Sequence, residues 1–135
     1  MATRQPRYWV DTNVILRYLL HDNEVQFANV RELFQKQEAG RIKAECVVQV
    51  VVEAVHVLRS FYKVPRAEIG RMVGDYVKSA PIEIENRNGL IWVLDTYGRT
   101  TLGLVDILLL EKARSEGGEI FSFDKKLLAY QKKTL

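Results

Sequence analysis

The sixteen residues VVQVVVEAVHVLRSFY, Val47 to Tyr62, decide how this chain folds. Their valines favour a strand, because β-branched side chains suit a pleated surface. Their length without a turn residue argues for a helix, since a strand spans about 4–8 residues. Read as a helix, the stretch separates two short strand candidates, IKAEC (42–46) and IEIE (82–85), and the whole chain becomes an alternation.

Working outward, RYWV (7–10) reads as a strand that runs straight into Asp11, and TNVILRYLL (12–20) as an apolar helix. Asn23 caps a second helix through about Ala39, which Gly40 ends. Pro65 sits at the first turn of a helix to Ser79. Asn86 opens another to Tyr97, with Gly98 as its stop. TLGLVDILLLEKA (101–113) begins the next, ended by Gly117-Gly118. EIFSF (119–123) is a strand running into Asp124, and KKLLAYQKK closes the chain. Strands separated by helices imply an α/β fold with parallel pairing and helices on both faces. Ligands bind such a sheet at the carboxyl ends of its strands, which is where Asp11 and Asp124 fall.

The 135 residues match one ordinary domain, 1–135, and 47% apolar content is enough for a core. The lone Cys46 excludes an internal disulfide and suits a reducing compartment. The basic start MATRQPRYWVD lacks the apolar stretch of a signal peptide, and no run reaches the roughly 18 apolar residues of a membrane helix. A cytoplasmic protein without a membrane partner is expected. The net charge of +3 is compatible with nucleic acid and equally with an ordinary basic protein.

Asp106 stands inside an apolar run, where an ionised carboxylate costs several kcal/mol unless compensated. Helical periodicity groups it with Leu102, Leu109, Leu110 and Ala113, opposite Glu111, Arg114 and Ser115, so it should face inward. Asp11 and Asp124 read as site residues or as helix caps. Glu53 borders a polar stripe with Gln49, His56 and Ser60, and a solvated helix edge accounts for it as well as a site does. Acids gathered at one sheet edge would repel each other, and a hard cation, Mg²⁺ or Mn²⁺, is the usual resolution. One Cys and the scattered His21 and His56 give no zinc spacing. A metal-bound water could then attack a phosphodiester. If the acids crowd, neutralising Asp106 should raise the melting temperature of the metal-free protein.

VDTNVILRYL, VVVEAVHVLRSFYKV, LGLVDILLLEKA and IFSFDKKL resemble the four acidic motifs of PIN-domain ribonucleases, in particular the VapC toxins of toxin–antitoxin pairs. The resemblance runs from Tyr8 to Leu128. It implies a PIN-like three-layer α/β/α domain with a short parallel sheet of four to five strands. It also implies a metal-dependent endoribonuclease whose metal-binding and catalytic acids are Asp11, Glu53, Asp106 and Asp124. Glu53 enters the set on this ground. Ser122 matches a hydroxyl that orders the site, and Asn13 a small polar residue after the first acid. The resemblance implies an RNA substrate, a homodimer and a cognate antitoxin as partners. No second acid accompanies Asp106 in LGLV, which leaves one or two metals open. The stop at QKKTL leaves the last strand open. Arg17, Lys125 and Lys126 are candidate phosphate contacts, or solvated surface charges.

Two rivals remain. A haloacid-dehalogenase-type phosphotransferase wants an acid two residues after Asp11, where Asn13 stands, and a receiver domain fits the third strand poorly. A catalytically silent PIN-like RNA- or protein-binding module would share the fold, but retention of all four acids favours the enzyme.

Overall fold

The computed structural model describes residues 5–135. The expectation of no leader falls partly on residues 1–4, outside the described residues. Three short parallel strands, β1 (Arg7–Trp9), β2 (Lys43–Cys46) and β3 (Glu83–Ile84), form one sheet in the order β1-β2-β3. Tyr8 pairs with Ala44 and Cys46 with Ile84, and the bonds from Val10 N to the Glu45 carbonyl and from Glu85 N to the Cys46 carbonyl extend both ladders. Between and after the strands come α1 (Thr12–Leu20), α2 (Glu24–Glu38), α3 (Val48–Ser60), α4 (Arg66–Ser79), α5 (Arg87–Arg99), α6 (Leu104–Glu116) and α7 (Lys125–Thr134).

The valine-rich stretch is the helix α3. Val51, Val55 and Leu58, one helical turn apart, are buried, while Gln49, Glu53, His56 and Arg59 are exposed. Burial at i, i+4 and i+7 rewards a helix and would split across both faces of a strand. At its start the Val48 N–H donates to Glu85 Oε1 at 2.9 Å. Asn23 caps α2 as expected, its side chain accepting from Gln26 N. The helix to Tyr97 runs on to Arg99, because Gly98 is not a stop. It lies inside α5 against Ala67 and Gly70 of α4, where the missing side chain lets two backbones meet.

The expected sheet of four to five strands is corrected to three among the described residues. Residues 119–123 form no strand, although their burial alternates as a strand's would. Gly117 and Gly118, at φ 91° and 95°, turn the chain out of α6. The Ile120 N–H then donates to Gln131 Oε1 of α7 at 2.6 Å, and no bond reaches β1. Phe121 and Phe123 are left over 90% exposed, and Tyr8 and Trp9 on the uncovered β1 edge are also exposed. Among the described residues α7 is the last element. No helix among the described residues is long and apolar enough to cross a membrane.

One contiguous core joins Ile15 and Leu16 of α1, Val51 and Leu58 of α3, Ile69 and Val73 of α4, Leu90 and Leu94 of α5, Ile107 and Leu110 of α6, and Leu127 of α7. Cys46 lies in it beside the Tyr76 hydroxyl. Burial pushes the Cys46 thiol up to about 11. The reactive thiolate is therefore scarce at neutral pH. Iodoacetamide at pH 8 is expected to leave Cys46 unmodified in the folded chain and to alkylate it in urea. Rapid labelling of the native chain would contradict this burial.

Candidate active site

The acids are best followed element by element. Asp11 lies two residues after β1 and caps α1, its Oδ1 accepting from Val14 N at 3.2 Å. Asp124 caps α7, its Oδ1 accepting from Lys126 N at 2.9 Å and Leu127 N at 3.1 Å. The Ser122 hydroxyl accepts from Asp124 N at 3.0 Å, so it orders the turn that presents this acid. Each aspartate spends one carboxylate oxygen on its cap. Asn13 is exposed in the first turn of α1.

Glu53 and Asp106 are brought together. Both line a cavity of about 550 Å³ between α3 and the start of α6, with His56, Arg59, Arg66 and Gly103. Glu53 is exposed and Asp106 half-buried. Asp106 is in the first turn of α6, where the unpaired N–H groups favour a negative charge. Val52, Glu53 and Val105 also line a neighbouring cavity of about 660 Å³, which continues the groove towards Glu85, Asn86 and Glu111.

The start of α6 is held from α4. Arg66 donates to the carbonyls of Tyr97 (3.2 Å), Thr100 (3.1 Å) and Leu102 (2.5 Å), and its guanidinium lies 3.8 Å from the centroid of the Tyr97 ring. One planar cation thus satisfies the orphan carbonyls at the end of α5 and fixes the turn that delivers Asp106.

The inward face assigned to α6 needs correction. Ile107, Leu110 and Glu111 are its buried residues, whereas Leu109 is 44% exposed and Val105 63%. Leu102 lies before the helix begins and misaligned the wheel. Glu111, expected outside, is 4% exposed and accepts from Asn86 Nδ2 at 3.2 Å, against the start of α5. The helix is apolar on most sides, so periodicity could not choose a face; the pairing of an acid with a helix start was the available signal.

Of the candidate phosphate contacts, Arg17 is paired with Asp22 at 2.7 Å and bonded to the Tyr62 hydroxyl at 3.1 Å. Lys126 bonds to the Thr101 hydroxyl, and Lys125 is exposed. His56, which the helical wheel grouped with Glu53, lines the acid-bearing cavity together with Arg59 and Arg66, and proximity in sequence had missed these two arginines as cations near the site.

Among the described residues no three His, Cys, Asp or Glu side chains converge closely enough to hold a metal ion. Asp11 and Asp124 line neither cavity that Glu53 enters. The donors nevertheless suit Mg²⁺ or Mn²⁺, because such ions bind through one or two carboxylates and keep several waters. Glu53 and Asp106, which line one open cavity, would supply such a pair.

The model of the PIN domain family matches residues 8–133. Neither the curated proteins nor the solved structures contain a match. The chain belongs to the PIN domain family, whose members are typically nucleases using divalent metal ions.

Proposed function

We propose that this PIN-domain chain is a metal-dependent endoribonuclease of the VapC type, the toxin of a toxin–antitoxin pair acting in the cytoplasm. The observation that carries the reading is the cavity shared by Glu53 and Asp106, which has cationic side chains on its rim. Carboxylates alone repel a phosphodiester. Carboxylates with a bound cation, flanked by His56 and Arg59, attract one.

Glu53 and Asp106 would hold Mg²⁺ or Mn²⁺. When bound, such an ion supplies a water of lowered pKa and neutralises charge on the phosphate. Asp11 and Asp124 complete the proposed acid set, each with one carboxylate oxygen not used by its cap. Val52, Leu104 and Val105 give the cavity an apolar wall that limits water on one side of the reacting phosphate. Arg66 keeps Asp106 in place through the carbonyls it binds. The exposed Trp9 on the β1 edge and the exposed Phe121 and Phe123 support a protein partner, a second copy of the chain or an antitoxin.

The test is cleavage of a single-stranded and a hairpin RNA by the full chain. Cutting is expected with Mg²⁺ or Mn²⁺, is expected to stop with EDTA, and should return when metal is restored. Equal cleavage by Asp11→Asn would reveal a contaminating nuclease and sink the claim. RNA that is bound but never cut would identify a silent binding module instead.

A further inference from the structure

Two hydrogen-bond-donating side chains of α3 border the cavity that Glu53 lines. His56 and Arg59 follow at i+3 and i+6, both are exposed, and both line the cavity that contains Asp106. At a helical rise of about 1.5 Å per residue they stand about 4.5 and 9 Å along the axis from Glu53. That is the scale of a step from one nucleotide to the next.

The groove is asymmetric in charge. Its far end, past Val52 and Val105, is lined by Glu85, Glu111 and Glu116, with Lys112 as the only cation there among the described residues. A phosphate is repelled more strongly from that end than from the other, where Arg59 and Arg66 offset Glu53 and Asp106. Arg66 at the attractive end is spent on three carbonyls. Arg59 makes one long bond, 3.4 Å, to the Val64 carbonyl. Among the described residues neither Arg59 nor His56 has a carboxylate within ion-pair distance. Their donors are available to a ligand.

We propose that His56 and Arg59 form a phosphate seat for the nucleotide next to the cleaved bond. The RNA strand then lies along α3, with its backbone at Arg59 and its reacting phosphate at Glu53 and Asp106. The identity of that reacting end rests on the nuclease reading; the seat itself rests on the unpaired donors of His56 and Arg59 and on the charge asymmetry.

Binding and cutting are separated in the test. Anisotropy of a labelled single-stranded RNA too short to fold is followed against the full chain in EDTA at several salt concentrations. Loss of one phosphate contact on a single strand lowers the slope of log K against log salt by about 0.7. Arg59→Ala is expected to weaken binding several-fold with that change of slope, Arg59→Glu to weaken it further, and Arg59→Lys to restore the slope. Arg59→Gln serves if the alanine variant fails to fold. Arg99→Ala, which removes a cation paired with Asp95 on α5, is expected to bind as the parent does.

Unchanged affinity and slope in a folded Arg59→Ala or Arg59→Gln overturn the seat, as does a parent chain that binds no RNA either in EDTA or with Mg²⁺. A parent that binds through Arg59 but never cuts with metal supports the seat and sinks the nuclease reading. A parent that cuts, with Arg59 variants that bind and cut equally well, sinks the seat alone.

Discussion

Asp106→Asn and Glu53→Gln are each expected to lower RNA cleavage by about a hundredfold to a thousandfold while leaving the chain folded. A coordinated ion contributes several kcal/mol of charge stabilisation at the phosphate, and about 1.4 kcal/mol is a factor of ten in rate. Either substitution removes one of the two carboxylates that share the cavity. The amides preserve shape, so the loss reads the charge and not the packing. Asp11→Asn and Asp124→Asn also remove a carboxylate from a helix cap, which amide oxygens can still serve. Both are expected to lower cleavage as well, and equal cleavage by Asp11→Asn would sink the nuclease reading.

The same variants revise an expectation about stability. Crowded acids would make Asp106→Asn stabilising in the metal-free chain, but the described residues hold no cluster of three such groups. Asp106 instead lies in the first turn of α6, where its charge is favourable. The substitution is expected to cost up to about 1 kcal/mol. Thermal melts in EDTA check this, and cleavage at the parental rate by Asp106→Asn would remove the acid from the mechanism.

The alternation of strands and helices was legible because several helices carry their own boundary chemistry. Asn23 caps α2, Gly117 ends α6, and Asp11 and Asp124 stand where strand-like segments turn into helices. The helical reading of 47–62 held because only helical spacing buries Val51, Val55 and Leu58 together. Pairing was less legible. EIFSF has the alternation of a strand, yet a side chain on α7 satisfies its Ile120 N–H, and local pattern cannot report a competitor that arrives from a later helix. For the site, Glu53 depended on resemblance, since an exposed acid on a polar stripe looks the same with or without a function. Arg66 was illegible because its partners are backbone carbonyls 31 to 36 residues away, and carbonyls leave no trace in side-chain identity. The face of α6 failed for a different reason: a helix apolar on most sides gives its wheel no preferred direction.

Gly70→Val is expected to destabilise the chain by about 3 kcal/mol or more, a large part of the roughly 5–15 kcal/mol that holds a domain of this kind together. A Cβ on Gly70 would lie 2.7 Å from the Leu94 carbonyl oxygen and 3.0 Å from Gly98 Cα, both backbone atoms of α5. Neither can swing aside as a side chain can, so α4 and α5 must separate and their buried contacts, Ile69 and Val73 against Leu90 and Leu94, loosen with them. Gly74, one turn further along α4, provides the internal comparison. Its Cβ would meet only Leu94 Cβ at 3.9 Å, an ordinary contact. Gly74→Ala should therefore stabilise the chain by up to about 1 kcal/mol through helix propensity alone. Urea melts of the two variants should move in opposite directions, and a Gly70→Val chain as stable as the parent would mean that the helices do not meet here. The consequence extends to the site. Arg66 at the start of α4 holds the carbonyls that lead into α6, so a displaced α4 carries that clamp with it and shifts Asp106 relative to Glu53. Any Gly70→Val protein that still folds should cut RNA more slowly than its loss of stability alone explains, because the pair of carboxylates is set by the same crossing that the glycine permits.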